Sequence, residues 1–308
     1  SIIGDPQNTR GFKTAAGVLV AAGDVTWTAY LTNDKTGPSG TSNLNLAGRD
    51  FLTFDSIVFV SGTNLHVTAT TTSSTNIKFV RCCFLNFSNS QNCISLTLAA
   101  DVVANWTIDS CAFHAGNSPA FLITIPRPSA ADIDVNIVVK NSICVGVVLI
   151  SLTLSGANVF NPGGVYFYNC LQRAIGNAIS TPANWSTTYP FTVYNSAFWG
   201  NASTCFTANT SGQIVEDYNV LVGYSVARSN VTAGTNSKTT YLPMHELGQS
   251  IISGRQLRPY GMPTKNSALL GFGSQSVGVT TDMLGITRPA GGLSPLYAAG
   301  PLERGNTF

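Results

Sequence analysis

Charge is what this sequence has least of. Of its 308 residues only 10% are Asp, Glu, Lys or Arg, against roughly 25% in an average soluble protein. The 16 basic and 14 acidic residues are scattered and leave a net charge of +2. That gives no basis for a nucleic-acid or anionic-membrane partner, since both need clustered Lys and Arg. No apolar run approaches the roughly 20 residues of a spanning helix, so no membrane span is expected. Residues Ser1 to Lys13 lack the charged-then-apolar order of a signal peptide. A leader cleaved before Ser1 and removal of an initiator Met in the cytoplasm both suit that start.

Several chemical signatures are missing as well. No CxxC spacing occurs among the seven cysteines, and the three histidines, His66, His114 and His245, are far apart, so neither a metal site nor a cofactor is expected. There is no Gly-x-Ser-x-Gly elbow, which removes the commonest sequence sign of a nucleophilic serine. Asn-Gly and Asp-Gly dipeptides are absent, which argues against the hairpin-rich antiparallel sandwich.

What fills the chain is Ser, Thr, Asn, Gly and a 44% hydrophobic fraction, enough for a sizeable core. A repeat organises it. Phe51-x-Thr53-x-Asp55-Ser56-x-Val58 aligns with Ile77-x-Phe79-x-Arg81-Cys82-x-Phe84, Trp106-x-Ile108-x-Ser110-Cys111-x-Phe113 and Ile137-x-Val139-x-Asn141-Ser142-x-Cys144. Val165-x-Phe167-x-Asn169-Cys170-x-Gln172, Phe191-x-Val193-x-Asn195-Ser196-x-Phe198 and Val215-x-Asp217-x-Asn219-Val220-x-Val222 complete seven copies. Their anchors are 26, 29, 31, 28, 26 and 24 residues apart, the drifting period of a solenoid with variable loops.

Within each copy the apolar residues alternate with period two, and the phase shifts by one at the anchor, which reads as a bend between two short strands. The fold expected is therefore all-β: a right-handed parallel β-helix. Residues 1–48 would form an arm and a cap or first coil, residues 49–235 the solenoid, and residues 236–308 an irregular segment packing on it or on neighbouring subunits. Asn141, Asn169, Asn195 and Asn219 occupy the anchor in four copies. Asn tolerates left-handed backbone there, and its amide can bond to its counterparts in the coils above and below, a structural ladder. Cys82, Cys111 and Cys170 follow the anchor where a small side chain fits under a tight corner, and the cysteines read as buried free thiols.

These residues carry a resemblance. The apolar-x-apolar-x-Asn-Cys/Ser-x-Phe coils resemble the pectin-lyase-like β-helix superfamily. Asp217-Tyr218-Asn219-Val220, Asn266-Ser267-Ala268-Leu269-Leu270-Gly271 and Thr281-Asp282-Met283-Leu284-Gly285-Ile286-Thr287-Arg288-Pro289 look like the ends of bacterial and phage β-helix proteins. The last piece, Ala298-Ala299-Gly300-Pro301-Leu302-Glu303, departs from the Gly-Ala-x-Glu usual there. The fold hosts lyases, hydrolases, adhesins and virion proteins alike.

For an enzyme, carboxylates must converge on one face. The candidates are Asp101, Asp109, Asp132, Asp134, Glu216, Asp217 and Glu246. Asp132 and Asp134 follow a Pro-Arg-Pro turn and read as a solvated coil edge. Asp217 is expected to point inward and to pair with a loop amide or an Arg near the solenoid's end. Catalytic, cofactor and metal sites are accordingly none. The run Val147, Val148, Leu149, Ile150, Leu152 and Leu154 suggests a coil face buried by another subunit. What the resemblance then implies is a non-enzymatic phage structural protein, a homotrimeric capsid decoration or spike. It would be made in the host cytoplasm, sit on the virion surface and contact capsid or other virion proteins. The alternative is a secreted, cell-surface or tail-borne β-helix that binds or cleaves host glycan, with Trp185 and Trp199 in its groove.

Overall fold

In a computed structural model of the chain, the described residues are 44–239 apart from several loops, parts of 272–288, Gly300, and four short strands nearer the N-terminus, with only the backbone course described in some strands. The expected parallel β-solenoid is there. Three sheets of eight strands run along it, and every pairing inside them is parallel. Each coil contributes one strand to each sheet in turn, as Val103–Asp109, Ala112–His114 and Pro119–Ile125 do. Ile2–Ile3, Ala29–Thr32 and Leu44–Asn45 add one further level to the three sheets.

Inward positions build one continuous core along the rod. Because coils repeat at ~4.8 Å, like residues meet face to face: Phe59, Phe84 and Phe113 stack with ring centroids 4.7 Å apart at both steps, and Phe54 stacks on Phe79 at 4.9 Å. Such pairs contribute ~0.5–1.5 kcal/mol each beyond burial. Trp106 is fully buried and satisfies its indole by donating to Ser74 Oγ at 2.8 Å.

The anchor positions form the corner between the first and second sheets. Ser56, Arg81, Ser110, Asn141, Asn169, Asn195 and Tyr218 all have φ between 50° and 58°, the left-handed conformation that Asn tolerates best among residues with a side chain. Five of the seven copies fall in the expected register. The first and last do not. Phe54, not Thr53, pairs with Phe79, so Ser56 and not Asp55 sits at the first corner. At the last coil Tyr194 pairs with Asp217, which puts Tyr218 at the corner and moves Asn219 one place on, beneath it.

The apolar run 147–154 is also resolved by register. Ile150 lies in the column of Ile94 and Ile179, both buried in the core, while Ser151 and Thr153 take the alternate positions in register with Leu122 and Thr124. The side chains of 147–154 lie outside the described residues.

Candidate functional site

The position after the corner is a hydrogen-bonding device. Cys82, Cys111, Cys170 and Asn219 each donate to a backbone carbonyl of the preceding coil, at Phe54, Phe79, Val139 and Val193 respectively. Ser142 and Ser196 donate within their own coil, to the carbonyls of Lys140 and Tyr194. Side chains of this column also accept from the coil before: Cys111 N donates to Ser142 Oγ, Cys170 N to Ser196 Oγ and Ser196 N to Asn219 Oδ1. A tight bend strips these backbone groups of sheet partners, and a short polar side chain restores them. Small size alone would have allowed Ala.

All seven cysteines are free and buried. Burial pushes the Cys83 and Cys170 thiols up to about 12 and raises those of Cys111, Cys144 and Cys205. A hydrogen bond from Cys111 lowers that of Cys82. Protonated, inaccessible sulfur is a poor nucleophile, so this column is scaffold.

The asparagine column faces outward to the C-terminal segment. Asn195 Oδ1 accepts from Ser274 N at 2.7 Å while its Nδ2 donates to Ser274 O, the two-way pairing of a strand residue. Asn141 Nδ2 donates to Thr281 O at 2.9 Å and weakly to Asp109 at 3.3 Å, and its Oδ1 accepts from Arg288 at 3.0 Å. Arg288 is itself buried and also holds the carbonyls of Thr281 and Gly300. Asn169 is buried between the two, and among the described residues its carboxamide has no hydrogen-bond partner. The strongest carboxamide bonds of Asn141 and Asn195 thus run from coil to tail.

This docking covers apolar surface. Val58, Cys83, Ala112, Ile143, Leu171, Ala197 and Val220 form one column along the outer face of the second sheet, and all seven are buried. Met283 and Phe272 pack against them, with Lys238 Nζ 4.8 Å above the Phe272 ring. The described part of the tail therefore packs on the chain's own solenoid.

The far end of the solenoid holds the one buried ion pair among the described residues. Glu216, not Asp217, points inward: its side chain is fully buried against Arg228 at 2.7 Å. Glu216 also accepts from Asn219 Nδ2 at 2.9 Å, Gly234 N at 2.8 Å and Ser237 Oγ. Gly234 is obligatory there, since a Cβ would lie 2.2 Å from Glu216 O. Asp217 faces out and accepts from the amides of Tyr218 and Asn236 and from Asn236 Nδ2, at 2.7–3.0 Å. The expected Arg and loop-amide partners near the end both exist, divided between two neighbouring carboxylates.

Other expected candidates disperse. Asp109 pairs with Lys140 at 3.1 Å, and Asp55 with Arg81 of the next coil. Asp101, Asp132, Glu246, His66 and His245 lie outside the described residues, as do the side chains of Asp134 and His114. Among the described residues no group of three or more His, Cys, Asp or Glu could hold a metal. Trp185 is buried in the core and Trp199 lies partly buried under Arg173, 5.1 Å from its ring, so they do not share a groove. Sequence reasoning missed Arg228, Arg288 and the buried Gln213, which accepts from Thr181 and the amides of Asn209 and Thr210 and donates to the carbonyls of Pro182, Ala183 and Trp185. Only the rarity of charge gave a hint, because an Arg in a chain this neutral has a reason to be there.

No family model, curated protein or solved structure matches the chain.

Proposed function

We propose that this solenoid is a non-enzymatic structural protein of a virion surface, a capsid decoration or spike subunit that assembles as a homotrimer, related to the pectin-lyase-like β-helices. What supports the reading most is how its few charges are used. Asp55, Asp109 and Glu216 bridge to Arg81, Lys140 and Arg228, tying coil to coil or closing the end of the rod. Glycoside hydrolysis needs two carboxylates facing each other across a sugar, one to protonate and one to attack or activate water, and these three are committed to the scaffold instead. Free buried thiols suit synthesis in a reducing host cytoplasm.

Light scattering on the purified protein is expected to give three times the 32.4 kDa chain mass, and electron microscopy of assembled particles to place it on the shell. A monomer at micromolar concentration overturns the assembly. Sugar release from a host polysaccharide, abolished by Asp132→Ala or Asp217→Ala, overturns the non-enzymatic role.

A further inference from the structure

The corner ahead of the strand Thr53–Asp55 holds a residue that suits neither its backbone nor its surroundings. The repeat places Phe51 at an inward position, yet it stands 77% exposed with φ 56°. A left-handed backbone is unfavourable for any residue with a Cβ, and a bulky ring suits it poorly. The next coil carries Asn76 at the equivalent corner, with φ 54°, the residue type that tolerates this geometry. The conformation of Phe51 is fixed on both sides. Its N–H donates to Thr75 O at 3.0 Å, and Lys78 N donates to Leu52 O at 2.8 Å. Asp50 accepts from the amide and the hydroxyl of Thr75 at 2.6 and 2.7 Å.

The charges around this ring differ from the rest. Arg81, Lys140 and Arg228 are in ion pairs, Arg173 and Lys238 lie over aromatic rings, and Arg288 is buried on carbonyls. The other described cations are Arg49, two residues before the ring, and Lys78, opposite Thr53 on the next strand. Both are exposed, and neither has an ion pair among the described residues. The two cations left free thus flank the most exposed large apolar side chain among the described residues.

We propose that Phe51 is the anchor by which this chain docks on a protein of the shell, entering an apolar socket whose rim carries carboxylates for Arg49 and Lys78. The proposal rests on the virion reading above. Backbone strain persists where a side chain is put to use, and an aromatic seated in a partner's pocket is a recurrent hot spot of protein interfaces. A corner already fixed by hydrogen bonds loses little further freedom on docking. Charge selects the partner: Arg49 and Lys78 attract carboxylates, while the neighbouring Asp50 is held by Thr75. A nucleic acid needs more than two cations, and a membrane surface needs a broad apolar face rather than one ring.

The test is co-sedimentation of the purified full chain with particles of its own virus that have been stripped of this protein by mild chaotrope. Wild type rebinds. Phe51→Asn weakens rebinding at least about thirtyfold, yet raises the thermal midpoint by roughly 1–3 °C because Asn relieves the strain. A variant that is more stable and binds less cannot owe its loss to misfolding. Arg49→Gln and Lys78→Gln each weaken rebinding severalfold at low salt, and the difference from wild type shrinks in about 0.5 M salt. If wild type does not sediment with stripped particles, the virion reading falls and this proposal with it. If wild type rebinds and Phe51→Asn rebinds equally well, the reading stands and the anchor is refuted. A lowered thermal midpoint in Phe51→Asn makes the ring a structural element and also refutes it. So does wild type that binds phosphatidylglycerol vesicles or duplex DNA as tightly as it binds particles, since the occupant is then a membrane or a nucleic acid.

Discussion

Replacing Asn141 separates two contributions that the corner combines. Its φ of 50° costs an ordinary L-residue ~1–2 kcal/mol relative to a right-handed or extended backbone, and Asn bears part of that cost less heavily. Its carboxamide also accepts from the buried Arg288 guanidinium and donates to Thr281 O. Stranding those partners costs ~1–3 kcal/mol. Asn141→Ala incurs both losses, giving about 3 kcal/mol. Asn141→Gly loses the same bonds and avoids the strain, but it gives up ~0.5–1 kcal/mol of chain entropy on folding, so it lands at or slightly above Ala in stability. Asn136 is the control. It is exposed and on the preceding strand with ordinary extended backbone, and there Ala is more stable than Gly by ~0.5–1 kcal/mol. The order of Ala and Gly thus reverses between two positions five residues apart. Urea titration followed by tryptophan fluorescence reads both pairs. Amide exchange in Asp134–Lys140 and Gly164–Tyr168 gives a local readout suited to a solenoid, whose coils contact only their neighbours. If Ala is the more stable at both positions, or if either Asn141 variant lies within 0.5 kcal/mol of wild type, as an unremarkable surface site would, the account of the corner is wrong.

Three other perturbations follow the same logic. Phe84→Ala removes the middle ring of the Phe59, Phe84 and Phe113 stack and is expected to cost ~3–5 kcal/mol in urea unfolding, against less than about 1.5 kcal/mol for Phe84→Leu. Arg228→Met leaves Glu216 buried without its cation and should cost ~3–5 kcal/mol, with a pairwise term well above 1 kcal/mol in a double-mutant cycle with Glu216→Leu; additive single effects would contradict the pairing. Alkaline pH should destabilise the rod. The unfolded chain releases its Cys83 and Cys170 protons near the ordinary thiol value of ~8.5, while burial holds them in the folded state up to about 12. The folded state then binds more protons in that window, so this part of the stability is complete below pH ~8.5 and falls as pH rises toward 12. Iodoacetamide at pH 8 should correspondingly leave all seven thiols unmodified in the native protein and label all seven in urea; rapid native labelling would refute their burial.

The amino-acid sequence alone determined that this chain is a parallel solenoid and where most of its coils bend. Period-two alternation interrupted once per copy, with Asn at the interruption, is a local signal, because the left-handed corner and the inward ring stack both act between residues adjacent in sequence or one coil apart. The tertiary structure decided what rests on distant partners. Register at the two end coils was invisible because Phe51-Leu52-Thr53-Phe54 and Ile214-Val215 offer apolar residues in either phase, and only Phe79 and Arg228 select one. The inward Glu216 violates the alternation that sequence reasoning relies on, and it is tolerated because Arg228, twelve residues later, neutralises it. The asparagines were legible as corner residues but not as docking points, since Ser274 and Arg288 meet them across 79 and 147 residues of chain.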